Sequence, residues 1–410
     1  MRLTSEQEAG LRGRDGASTQ LAMRMLLAVG RAMRAEDLIA VSSAHIVLDA
    51  FAMGQPGTDL IASFRQEGAR FVVPTSINAI SFDRRGAPDA AVSRYDGYQR
   101  RMLEDCEAMG ALSTCSCNPF NQGITPIFGE HVAWSESAAT GYVNSVIGAH
   151  TNREGATAIA SALTGLTPRY GMHLREVRRA TVHFAVECIL SDEADYNVLG
   201  SLIAGRAGSR IPVLSGLVSP SMDELFGFSA SFAIVANIPM FHIVGITPEA
   251  TSLEAVAQAG IPPPVPIRQC DLESERARYD ADMEAAINLV TVGSPHASFR
   301  QIREVADLLD GRSVKSDVEF TLTTNRSNFA LADSSGVLER LTTAGVIVTA
   351  DKMCFGCDLG ARKFDQRAVL ATNSVKAAQS APGTRGVKVR YGTIAQCVDA
   401  AVTGHWRGRE

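Results

Sequence analysis

Apolar positions in this chain switch repeatedly between a helical and an extended period. Thr4 or Ser5, with Glu8 a turn later, marks a first helix start. Leu21, Met25, Leu26 and Val29 then share one side of a helical pattern over 18–33. The run LIAVSSAHIVLD that follows is short, apolar and β-branched, as a buried strand requires. A helix over 59–67 and the strand ARFVVPTSIN repeat the step. Further along, ATVHFAVECIL and NLVTVGSPH read as strands, SFRQIREVADLLDG as an amphipathic helix, and VLERLTTAGVIVTADKMC as a helix running into a strand. Such alternation predicts α/β architecture with mainly parallel strands. The segment AGIPPPVPIRQ has four prolines and no period, and it reads as a linker or extended loop. No repeat of 20–50 residues appears. The pattern divides into about three α/β subdomains, 1–130, 131–285 and 286–410.

In such sheets ligands bind at the carboxyl ends of strands. SSAH, VPTS, TCSC, GITPE, GSPH, DKMC and ATNS all fall where a strand stops, so these loops are expected to line one central cleft.

Composition narrows the function. Of 410 residues, 46% are hydrophobic and 20% charged, which excludes disorder or a coiled coil as a description of the chain. A net charge of -5 leaves no basic face for nucleic acid, and with 6% aromatic residues stacking platforms for single strands are not expected. No apolar run is long enough for a membrane span, and the N-terminus carries charges where an export signal needs an apolar stretch. The cytoplasm is therefore the expected compartment, with no membrane partner. The eight cysteines are too sparse for a disulfide scaffold, but two close pairs stand out, Cys115 with Cys117 and Cys354 with Cys357. Thiolates at that spacing on loops suit an iron–sulfur group or structural zinc, while single cysteines such as Cys106 and Cys397 read as small core residues.

Two polar segments interrupt the apolar pattern. Residues 128–155 hold a helix from Ser135 through Ile147, with Glu130, His131, Ser135 and Ser137 at its beginning and Asn152 and Arg153 past its end. Free N–H groups at a helix start favour a carboxylate, and Arg153 is a candidate clamp for one. The plainer reading is a well-capped helix. In ATNSVKAAQSAPG, Ser374 and Lys376 leave a strand and open a helix, so both are placed to face the cleft. A nearby lysine favours the ionised serine hydroxyl, although Ser-x-Lys is also common on solvated helices. His45, His131, His242 and His296 each end an apolar run, the usual place of a core histidine.

The segments TCSCNPF, GEHVAWSESAATGYVNSVIGAHTNREG, YGMHL, PMFHIVGITPEA, GSPHASF and ATNSVKAAQSAPG, in that order, resemble the large subunit or catalytic region of the aconitase X family. The resemblance spans nearly the whole chain. It implies an aconitase-like fold and a hydro-lyase that removes water from a small hydroxy carboxylate. It also implies a cysteine-bound iron–sulfur centre of 2Fe–2S, 3Fe–4S or 4Fe–4S type, and a small swivel-domain subunit completing a heterodimer. Carried over, the family's cluster cysteines fall on Cys117 and Cys354. A third is expected in a GCPH motif, which reads here Gly293-Ser294-Pro295-His296. Cys115 or Cys357 replaces it, or the cluster is smaller, or the metal site is altered or lost.

Dehydration then needs a base for the proton alpha to the carboxylate, for which Ser374 activated by Lys376, His131 and Glu130 are the candidates. His45, Ser135, Ser137, Asn152 and Arg153 are the candidates for substrate binding. Cis-3-hydroxy-L-proline, giving 1-pyrroline-2-carboxylate, is the favoured substrate. Mevalonate 5-phosphate is the alternative, and a non-catalytic metal-binding protein on the same fold is the competing class.

Overall fold

A computed structural model describes residues 1–85, 94–236, 238–280, 284–353 and 368–408. Three parallel sheets organise them, each with its own apolar core. No helix among the described residues is long and apolar enough to cross a membrane.

The first sheet is small, with the strand Ala44–Ile46 between Thr75–Ile77 and Ala133–Trp134, all in parallel register. Its strands are buried on both faces, which is why they read as apolar runs without alternation. Thr4 caps the helix Ser5–Leu11, with Gln7 rather than Glu8 closing the capping box. The helix expected over 59–67 is the second half of Ala50–Gln66, in which Gly54 (φ 52°) makes a kink. Because Ala133–Trp134 and the helix Thr157–Thr164 both belong to this unit, it runs well past residue 130.

The second sheet has the order His242–Ile243, Pro212–Ser215, Val182–Val186, Val265–Ile267. Its last strand lies inside the proline-rich segment read above as a linker. Phe184 and Val186 pair there with Val265 and Ile267. Pro266 is tolerated because this strand is at the sheet's edge. Over the sheet, the helices Glu193–Ala207 and Met222–Val235 approach closely at Gly200, where an added Cβ would lie 2.4 Å from the Phe228 carbonyl oxygen.

The third sheet has five parallel strands, Ile347–Ala350, Glu319–Thr324, Leu289–Ala297, Val369–Thr372 and Lys388–Tyr391 in spatial order. The amphipathic helix expected after NLVTVGSPH is Phe299–Leu309, and it packs Ile302, Val305, Ala306 and Leu309 onto the sheet's core. Helix Val375–Arg385 follows the strand Val369–Thr372, with Ser374 as its N-cap.

Polar clamps tie the units together. Arg178 is 1% exposed. It donates from Nη1 to Asn144 Oδ1 at 2.8 Å, from Nη2 to the Asn144 carbonyl at 2.9 Å, and from Nε to Glu249 at 2.9 Å. Asn144 sits in the π-helical turn Val143–Ile147 and also donates to the Thr151 and Pro239 carbonyls. Much of the polar stretch 128–155 therefore serves the joint between the first two units, and every buried group named here is hydrogen-bonded.

Candidate active site

The three units meet around a partly open cavity, walled by Asn118 from the first, Glu193 and Asp223 from the second, and Ser294, Asn373 and Ser374 from the third. Parallel sheets point their carboxyl ends at this junction, as in other open α/β architectures.

Ser374 reaches the cavity because it caps the helix that leaves the strand Val369–Thr372. Its Oγ accepts from Ala377 N at 3.1 Å and donates to the Ser294 carbonyl. Two residues on, Lys376 Nζ meets Glu136 Oε1 at 2.8 Å, with both side chains buried. Glu136 in turn caps the helix Ser137–Tyr142 by accepting from Ala139 N at 2.6 Å. Burial alone would raise its carboxyl, but Lys376 and the Ala139 N–H hold it below the ordinary range, so it stays ionised. His45 is fully buried beside Trp134 and shares a 2.8 Å hydrogen bond with Ser76 through Nδ1. Its burial, opposed by the charge of Glu136, lowers it to about 4.

Cys117 lies on the other flank of this junction, where its sulfur accepts from His296 N at 3.3 Å. The His296 ring donates from Nε2 to the Lys352 carbonyl at 2.8 Å, which leaves Nδ1 to accept from Ser116 Oγ at 3.0 Å. Burial keeps His296 neutral, lowered to about 4. Gly293 (φ 102°) sets the chain direction into Ser294, and a Cβ there would lie 2.0 Å from the Thr323 carbonyl oxygen. Ser294 Oγ is buried in the cavity wall and has no hydrogen-bond partner.

The implied iron–sulfur group can be tested against these donors. Among the described residues no three His, Cys, Asp or Glu side chains converge on a point. Cys117 is the thiol beside the cavity, and at the expected third cysteine the wall presents the Ser294 hydroxyl, a hard donor. Cys115 belongs to the first unit's apolar core, where burial, with Asp351 adding to it, pushes its thiol up to about 12. Cys354 and Cys357 lie outside the described residues. The described set does not fit a cluster held by three thiolates, and no chemical step is assigned to one below.

Other expected site residues go elsewhere. Arg153 is exposed and absent from the cavity wall, because its neighbours Asn152 and Glu154 take the inward positions. Asn152 instead secures a turn, donating to the Tyr170 carbonyl and accepting from Met172 N. Glu130 accepts from Ile127 N in a surface turn, and His131 meets the His150 ring edge-on and lies 3.0 Å from His173 Nδ1 to Nδ1. Both precede the strand Ala133–Trp134 and so sit at its far end from Glu136. Ser135 donates to the Gly155 carbonyl, and Ser137 opens a helix whose start is capped by Glu136 itself, which takes the place expected for a substrate carboxylate. Sequence reading missed Glu193, Asp223 and Asn373. Asn373 had a signal in the loop ATNS, whereas the two acids gain their meaning only from residues distant in sequence.

Two expectations follow from this geometry. His45 and His296 titrate near 4 when folded and near 6.5 otherwise, so the unfolded chain binds protons that the folded one refuses. Stability is complete above pH 6.5 and falls as pH drops towards 4, by up to about 3 kcal/mol for each histidine. Denaturant midpoints measured from about pH 7.5 down to about pH 5 should fall, and fall less in His296→Gln; a flat profile would contradict the burial argument. Ser294→Cys, which places a soft donor beside Cys117, should raise the iron and visible absorbance of anaerobically purified protein, and unchanged iron would show that this position does not limit binding.

Comparison with known proteins agrees with the architecture. Family profiles for the aconitase X first, second and third domains match residues 1–176, 180–277 and 287–403. The chain is similar to cis-3-hydroxy-L-proline dehydratase of Pseudomonas aeruginosa, 36% identical over 98% of this chain and 70% of that protein. Its counterpart in Hypocrea jecorina is 34% identical over 98% and 69%. Phosphomevalonate dehydratase large subunit of Methanothermobacter thermautotrophicus is 33% identical over 92% of this chain and 93% of its own length. The crystal structure of Thermococcus kodakaraensis aconitase X in its holo-form superposes with a TM-score of 0.87 at 30% identity, over 98% of this chain and all of that one. With matches running through all three units and the same fold beneath them, the chain belongs to the aconitase X family of hydro-lyases.

Proposed function

We propose that this chain is the large subunit of a dehydratase that converts cis-3-hydroxy-L-proline into 1-pyrroline-2-carboxylate, acting in the cytoplasm. The observation that carries the choice of substrate is the cavity wall, which has Ser374 and Ser294 but no Lys or Arg among the described residues. A phosphorylated substrate calls for clustered basic donors or a glycine-rich anion loop, and neither is present there. Likeness to the M. thermautotrophicus large subunit over 92% of this chain supports the subunit reading.

In this reading Ser374 Oγ takes the proton from the carbon alpha to the carboxylate. Lys376, fixed by Glu136, supplies a positive field that favours the ionised serine. Ser294 Oγ, buried without a partner, donates to the substrate carboxylate. The electron pair left on the alpha carbon becomes the ring double bond as the C3–O bond breaks; the departing hydroxide leaves as water on taking a proton from solvent, and Ser374 returns the proton it took to solvent. The enamine tautomerises to the cyclic imine, so the overall change is loss of one water. A small subunit closing the open side would exclude solvent from this step.

The test is product formation from cis-3-hydroxy-L-proline and from mevalonate 5-phosphate, using the chain with and without a small-subunit partner. Turnover of the hydroxyproline, strongest with the partner, is expected. Ser374→Ala should lower kcat by about 10³ with little change in KM. Turnover of the phosphorylated compound alone would overturn the proposal.

A further inference from the structure

Two carboxylates and an amide oxygen without a donor lie on the cavity wall. Glu193 opens the helix Glu193–Ala207 and receives Arg300 Nη2 at 3.0 Å and Gln301 Nε2 at 2.6 Å. Asp223 receives Arg300 Nε at 2.7 Å and Ser298 Oγ at 2.9 Å. Arg300 also meets Glu304 at 2.9 Å, so three carboxylates share one half-exposed guanidinium. On the third unit's wall Asn373 Oδ1 has no donor, although the residue is only 7% exposed. A buried carbonyl oxygen facing a cavity without a donor calls for a ligand that brings one.

The wall's charge specifies that ligand further. Burial pushes the Glu193 carboxyl up to about 7; Asp223 and Glu304 add like-charge repulsion, against the opposing pull of Gln301 and Arg300. A cation entering the cavity would relieve that repulsion and restore the ordinary ionised carboxylate. The ring ammonium of a proline-type amino acid carries one positive charge and two N–H donors, enough for one carboxylate and one amide oxygen. A phosphate brings only acceptors and negative charge, which this wall would repel.

We propose that Glu193 and Asn373 form the ammonium subsite of the cavity, selecting a cyclic secondary-amino hydroxy acid over a phosphorylated hydroxy acid, with Asp223 and Arg300 positioning Glu193. This rests on the dehydratase reading given above. It assigns specificity to residues that do not act on the proton or the hydroxyl.

Calorimetric titration of the full chain with L-proline and with tetrahydrofuran-2-carboxylate tests it, because the second ligand replaces the ring ammonium with oxygen. The wild-type chain should bind L-proline at least about tenfold more tightly, as a charge-assisted hydrogen bond warrants. Glu193→Gln, an isosteric change, should lose most of that preference while binding of the oxygen analogue stays unchanged. Asn373→Ala, made independently, should reduce the preference as well. Equal binding of the two ligands by the wild type, undetectable binding of both, or a preference surviving in both variants would overturn the assignment. Because the readout is binding of non-reacting ligands, such a failure leaves the dehydratase reading to be judged separately by product formation.

Discussion

The buried ion pair between Lys376 and Glu136 is the contact on which the arrangement of this molecule depends. Two charges taken out of water are tolerated only when they face each other with good geometry and further hydrogen bonds. Glu136 meets that condition through Ala139 N and Lys376 together, and so fixes the start of a helix in the first unit against the start of a helix in the third. Ser374 caps that second helix, which places its hydroxyl in the cavity. His45 lies within the field of the same carboxylate and stays neutral through burial. Remove the pair, and both helix starts lose the constraint that aims them at one place.

Around that anchor the three sheets do similar work. Each delivers a loop from the carboxyl end of its strands, and polar residues that would be costly inside a single core become the wall of a shared cavity. Arg300 and Arg178 carry the joints. One reaches from the third unit to two acids of the second, and the other binds the second unit to the π-helical turn of the first. The outcome is a pocket with two carboxylates and no lysine or arginine in its wall among the described residues, while Lys376, two positions after Ser374, pairs with Glu136. Such a wall suits a zwitterion better than a dianion.

Most of the fold could be read from the chain because central strands such as Ala44–Ile46, Val182–Val186 and Leu289–Ala297 are largely buried and its helices are capped by ordinary residues. Ser298 with Gln301 and Thr393 with Gln396 are examples of such caps. Val265–Ile267 escaped notice because prolines mask an edge strand that owes its pairing to Val182–Val186, far away in sequence. Part of the candidate site was legible where chemistry and chain punctuation coincide: Ser374 lines the cavity, whereas Lys376, also expected to face it, is not in its wall and pairs with Glu136. Elsewhere side-chain direction decided the matter. Arg153 has the right chemistry but faces solvent, and Asn152 beside it holds a turn. Glu193 was not singled out in the sequence, since the residues that give it meaning, Arg300 and Gln301, lie 107 and 108 positions away.

The most direct measurement of this account is a double-mutant cycle on the central pair, using Glu136→Gln, Lys376→Met and the two together, with unfolding followed in denaturant. The account predicts that each single change destabilises the chain by about 3 kcal/mol or more, since each leaves one buried charge unpaired. The double variant should lose far less than the two losses added, giving a coupling of at least about 2 kcal/mol. Losses that add to within about 0.5 kcal/mol would show that the two groups do not depend on each other, and would contradict the claim that this pair aligns the site.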